Sequence, residues 1–313
     1  MDGLGSQAKM GIATNSDWTD AWSAVDALLP FENESISQNI NMLTNEALEG
    51  TPARVAPDLG VISNLGQTKH MLDYYNFATI LEYWLGTDTS GVYTISDSFA
   101  KILRIAFEKG VSRWNIPAAM INVGTITGEA GQILGLDLDW IGRPYARSAT
   151  AFPDLSITNR SRVNFSKSVT NSRIRIGDQV NALAAGDAVG WSKFSLSLDR
   201  KLKGDIITNQ FDYTNKPRLD GLREAKLTFE IPVYAVDTFN DFADIGTKLQ
   251  ADLYFTDGTK TLLIEIPEIL IENIGDPIAG TGIIVQPVEC GCYLNTSNTP
   301  MTAITNEFRI TIT

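Results

Sequence analysis

The residues best suited to chemistry are few in this chain of 313 amino acids, and their spacing does not assemble them. One histidine occurs, His70, which excludes a two-histidine acid–base pair or a histidine metal cluster. Its neighbours Thr68 and Lys69 are polar, which places it on the surface of a strand. A Ser-His-Asp arrangement would have to use it, but no Gly-x-Ser-x-Gly accompanies it. The two cysteines, Cys290 and Cys292, fall on one face of a strand. They are expected to be buried free thiols, because a disulfide across so short a loop would be strained. Asp88-Thr89-Ser90-Gly91 resembles half of a carboxylate-dyad loop, but the second half is missing, so a turn is expected. Asp137 and Asp139 also share a strand face, and a divalent cation there would need more oxygen ligands than they supply. Gly128-Glu129-Ala130-Gly131 and Gly280-Thr281-Gly282 lack the Gly-Lys-Ser/Thr of a phosphate loop and are expected to be turns. No catalytic, cofactor-binding or metal-binding residue is expected, and the chain is not expected to be an enzyme.

The elements that would position such residues are mostly strands. Hydrophobic residues make up 43% of the chain and charged residues 20%, enough for a real core and too little charge for general disorder. The spacing of Trp18, Trp22, Val25 and Leu29 predicts a helix over 17–29, inside an arm of residues 1–35. Alternation then predicts strands over 36–42, 60–74, 120–127 and 133–141, the last two joined as a hairpin. Residues 97–109 read as strand in preference to helix. A helix is predicted over 77–85, capped by Asn76 and ended by Gly86. The second half repeats this order, with strands at 194–198, 227–233, 253–255 and 262–266 and a helix over 240–249. Asp257-Gly258 is the strongest hairpin signal, and Phe308, Ile310 and Ile312 close the chain. The expected class is mainly β, with two tandem β-sandwich or barrel domains, each with a short flanking helix, over 36–150 and 151–313.

The formal net charge of −12 disfavours a conventional nucleic-acid binder. Between Arg143 and Lys203, eleven Lys and Arg face four Asp, a net of +7 that leaves −19 on the remainder. That stretch is either a set of solvated strand faces or a basic surface that meets an acidic one on another copy. No run approaches the length of a membrane-spanning helix, and residues 1–16 hold no secretory signal, so a soluble chain without membrane insertion is expected.

Three features together resemble the tail tube proteins of long-tailed bacteriophages. They are the extended stretch Gly60–Tyr74 with Phe77-Ala78-Thr79-Ile80-Leu81-Glu82-Tyr83-Trp84-Leu85-Gly86, the strand Leu103–Lys109 with the hairpin Val123–Gly142, and Leu219–Leu227 with Leu262–Pro267. The resemblance covers about residues 36–295. It implies a structural virion protein, made in the host cytoplasm, whose copies form rings that stack into a tube conducting DNA. A duplicated chain implies trimeric rings, with hexamers as the alternative. The implied partners are other copies of the chain, tail terminator, tape measure and tail tip proteins, and DNA passing through an acidic lumen without specific binding. Loop 204–220 is expected to bridge rings. A capsid or decoration protein and a surface adhesin are the competing readings.

Overall fold

The computed structural model describes residues 8–43, 57–96, 101–150, 155–157, 161–166, 170–209, 211–233, 237–275, 283–296 and 300–313. The chain runs β1 (Lys9–Asn15), β2 (Ala27–Leu29), β3 (Asn33–Glu34), β4 (Ser37–Leu43), β5 (Asp58–Met71), α1 (Ala78–Leu85), β6 (Gly86–Thr89) and β7 (Val92–Ile95). It continues through β8 (Ile102–Glu108), β9 (Arg113–Glu129), β10 (Gly135–Gly142) and β11 (Ala146–Ser148). The second half holds β12 (Ser172–Asp178), β13 (Lys193–Asp199), β14 (Leu202–Lys203), β15 (Arg218–Leu219), β16 (Glu224–Ile231) and α2 (Thr238–Ile245). It ends with β17 (Leu249–Thr256), β18 (Thr261–Ile274), β19 (Gln286–Cys292) and β20 (Arg309–Ile312). The protein is mainly β, as its alternating pattern predicts.

Strand pairing reveals a repeat that residue identity conceals. In the first unit the order is β4-β5-β10-β9-β8-β1, and α1 lies between β5 and β8 in the chain. In the second it is β13-β16-β19-β18-β17-β12, with α2 between β16 and β17. Even the irregularities recur. Asn122 bulges from β9 opposite Asp139/Trp140, and Glu272 bulges from β18 opposite Glu289/Cys290. A second bulge separates Leu103 from Ile105 in one unit and Leu249 from Ala251 in the other. Because an extra residue reverses the facing of every side chain beyond it, two bulges at matching places fix matching registers. The units meet where β9 pairs with β13, from Lys193↔Glu129 to Asp199↔Val123. Pairing therefore crosses from the 36–150 segment into the 151–313 segment without a break.

One face of this sheet is dry. Leu136, Leu138 and Trp140 of β10, Leu196 and Leu198 of β13, and Leu227 and Phe229 of β16 point into a common core with the α1 residues Ile80, Leu81, Trp84 and Leu85. Helix α1 sits so close that a Cβ on Gly124 would overlap the Trp84 ring. Gly86 ends α1 with a φ of 117°, the left-handed region where a Cβ is penalised. A further tie is particular to the junction: the β6–β7 hairpin, which has no counterpart after α2, pairs with β20 of the second unit.

Several expectations are corrected. No helix forms over 17–29; the segment turns, and Ala27–Leu29 pairs with Met10–Ile12. Local bonds win there, since Asn15 Oδ1 accepts the Ser16 amide, Asp17 Oδ1 that of Thr19, and Asp20 Oδ2 that of Asp17. Residues 9–15, expected in an arm, pair along the whole of β8. Asn76 does not cap α1; its amide donates to Asp73, whose Oδ1 also takes the N–H groups of Tyr75 and Asn76. Helix α2 ends at Ile245, which is exposed, while Leu249 opens β17 and is buried. His70 is not on the surface; it is fully buried. The Gly280-Thr281-Gly282 turn lies outside the described residues.

Candidate functional site: an open sheet face and two free edges

The residues between the core positions form a single polar face. Cross-strand register aligns Gln67, Asp139, Val123, Asp199 and Glu224 in one row, and Lys69, Asp137, Thr125, Ser197 and Lys226 in the next. Thr127, Ser195, Thr228 and Glu289 form a third row, and Glu129, Lys193 and Glu230 a fourth. These rows hold seven carboxylates and three lysines, so the face is acidic.

The face carries a charge pattern set by close neighbours. Partial burial raises the carboxyl pKa of Asp137 and Asp139, and the nearby Asp137 and Asp199 charges push Asp139 the same way. Lys201 bridges Asp199 at 2.7 Å and Glu224 at 3.0 Å, and Lys226 reaches Glu224 at 2.7 Å. These lysines hold the Glu224 carboxyl below its ordinary pKa.

Asp137 and Asp139 are thus brought together as the pattern predicts, within a broad face. Asp88 is a turn residue whose Oδ1 accepts the Gly91 amide. Cys290 and Cys292 are free and buried, and burial pushes the Cys290 thiol up to about 12. Among the described residues no group of three or more His, Cys, Asp or Glu could hold a metal ion. Among the described residues no helix is long and apolar enough to cross a membrane.

The basic stretch works largely inside the chain. Arg162 pairs with Asp73 at 3.0 Å, Arg175 pairs with Asp252, and Arg143 donates to the Trp18 and Asp20 carbonyls. Arg200 is buried and donates to the Tyr83 and Leu85 carbonyls at the C-terminal end of α1. There the helix dipole favours a cation. Arg162 and Arg200 therefore hold the second unit onto the first.

Two edges close the description. Among the described residues strand β4 pairs with β5 alone, and its residues Ile40, Met42 and Leu43 are exposed. On β9, one edge of residues 123–129 is taken by β13. The matching edge of β18, at Asn273 and Ile274, has no paired strand among the described residues. Sequence reasoning missed both edges; the apolar residues on a strand as polar as Ser-Gln-Asn-Ile-Asn-Met-Leu were the available signal.

A tandem β-repeat with one dry face and one acidic face defines a protein of the mainly-β class. A family model described as phage tail tube protein matches residues 5–292, nearly the whole chain, and the protein belongs to that family: it is a structural component of the virion tail. Among curated proteins none matches. The family match decides for the tail tube over the capsid, decoration and adhesin readings.

Proposed function

We propose that three copies close into a ring whose acidic sheet faces form the wall of a DNA channel, and that such rings stack into the tube. One observation carries the reading: β9 of the first unit already pairs with β13 of the second, and the matching partners, β18 and β4, are left open among the described residues at opposite ends of the sheet. Joining β18 of one copy to β4 of the next repeats the internal junction. Each chain then supplies eight strands (β4, β5, β10, β9, β13, β16, β19, β18), and three chains supply twenty-four. Free edges that endanger an ordinary protein become the means of closure.

The division near residue 150 belongs to this reading, with 36–150 and 151–313 each supplying one wedge. The carboxylate rows repel phosphate, so DNA passes without specific binding. In the tail the stack runs between terminator and tip proteins and encloses the tape measure, after synthesis in the host cytoplasm. Loop 204–220, braced by the β14–β15 pair at its base and tied to β5 where Ile62 donates to the Asp212 carbonyl, bridges rings in this reading through its remaining residues. Electron microscopy of the purified protein tests the proposal. Three-fold rings or tubes with an opening wide enough for duplex DNA are expected; a monodisperse monomer at high concentration overturns it.

A further inference from the structure

The internal junction shows how a β13-type strand is received, and the chain carries a second receiver that no strand occupies among the described residues. Beyond β13, Arg200 donates its backbone N–H to the Asn122 carbonyl at 3.0 Å, and Leu202 donates its N–H to Asn122 Oδ1 at 2.8 Å. The Leu202 side chain is buried in a cluster with Trp18, Met120 and Ile141. The matching bulges fix the counterparts in the second unit. Glu272 stands where Asn122 stands, and Leu270 pairs with Gly291 as Met120 pairs with Ile141. A groove lies there whose apolar lining, Leu219, Leu222, Tyr293 and Leu294, is rimmed by Arg223, Glu224 and Glu307, with Glu272 at its side accepting the Tyr293 hydroxyl through Oε1. Leu222 is 92% exposed.

The counterpart of Leu202 follows from the same register. Asn33 pairs with Lys69 in the first unit as Lys193 pairs with Glu230 in the second, so Met42 corresponds to Leu202 and Ile40 to Arg200. Met42 is 49% exposed. We infer that this groove is the socket for a second copy of the chain, filled by Met42 of its β4, with Glu272 accepting the Met42 N–H. The inference rests on the ring reading and names the contact that closes it. The internal junction is the interface argued from: the groove repeats its receiving half, and β4 repeats its entering half.

The register also distinguishes the two joints. Ile40 replaces Arg200, and the residue matching Leu85 at the end of α1 is Ile245 of α2, which is exposed. An apolar pair thus takes the place of the buried guanidinium.

A double variant, Met42→Cys with Leu270→Cys, tests the contact under oxidation, read by non-reducing gel electrophoresis beside micrographs of the same sample. Covalent dimers and trimers that neither single variant forms are expected. Rings without the cross-link overturn the socket and leave the ring reading standing; absence of rings in the parent protein overturns both. Met42→Asp provides a second readout, because the residue is exposed in the single chain and its loss leaves folding intact. It should raise the concentration needed for assembly at least about tenfold, since a buried methionine contributes that much. Unchanged assembly by a normally folded Met42→Asp protein also overturns the socket.

Discussion

The only histidine illustrates how far a residue's neighbours mislead. Thr68 and Lys69 are both polar, yet in a strand Thr68 shares the inward face of His70 while Lys69 points out. Inside, Trp140 Nε1 donates to Thr68 Oγ1 at 2.7 Å, and Thr68 in turn meets His70 Nε2 at 2.8 Å. On the other side of the ring, Nδ1 meets the Pro30 carbonyl at 2.8 Å. Because a carbonyl only accepts, Nδ1 carries the proton, Nε2 accepts from Thr68, and the ring is neutral. Burial pushes its pKa down to about 4. Unfolding restores the ordinary value near 6.5, so protons bind the unfolded chain first. The stability this group protects is complete above about pH 6.5 and is lost as pH falls toward 4, by roughly 3 kcal/mol in all. Urea midpoints should fall between pH 6.5 and 5, before most carboxylates titrate, and His70→Gln should flatten that slope. An equal slope in the variant would assign the effect to other groups.

At the scale of elements, the tightest fit is between α1 and β9. Gly124→Val should cost about 1–3 kcal/mol, because the Trp84 ring occupies the space a side chain needs. Combining it with Trp84→Leu should recover part of the loss in thermal unfolding; additive losses would mean that the two do not compete for one volume. The elements that alternate cleanly were legible before any coordinates: β10, the β17–β18 hairpin, α1 and its glycine stop. The N-terminal turn was not, because helical spacing of Trp18, Trp22, Val25 and Leu29 says nothing of the aspartates that capture the backbone between them. Helix α2 stops four residues short of its expected end, since Leu249 fits a helical face and a strand equally. The duplicated order was visible, but the repeat itself lives in bulges and registers. Matching positions hold residues as unlike as Asn122 and Glu272, or Trp140 and Cys290. The acidic face was half visible, in Asp137 and Asp139, whereas Asp199 and Glu224 join their row only through strand pairing.

For the whole molecule, the charge of the open face belongs to transport in the proposed tube. Asp137→Lys with Asp139→Lys changes about four charges per chain and about twelve in a ring of three, which cancels the excess of carboxylates in these rows and gives phosphate two new lysines per chain whose contacts release counterions. Tubes of that variant should bind duplex DNA at low salt and release it as salt rises, while the parent tubes should not bind. Equal binding by both, measured by co-sedimentation, would remove the acidic face from the account of passage. The hairpin of β6 and β7 bears on how the ring comes into being. Clamped to β20, it makes the joint between units part of folding, and α2 offers no such clamp to the next copy. The proposed ring of three chains would therefore forfeit translational and rotational freedom for three bodies, where six separate wedges would forfeit it for six. Each association costs about 4–15 kcal/mol of that freedom. Nucleation then rises with a lower power of concentration, and the first ring of a tail can form from a sparser pool of subunits.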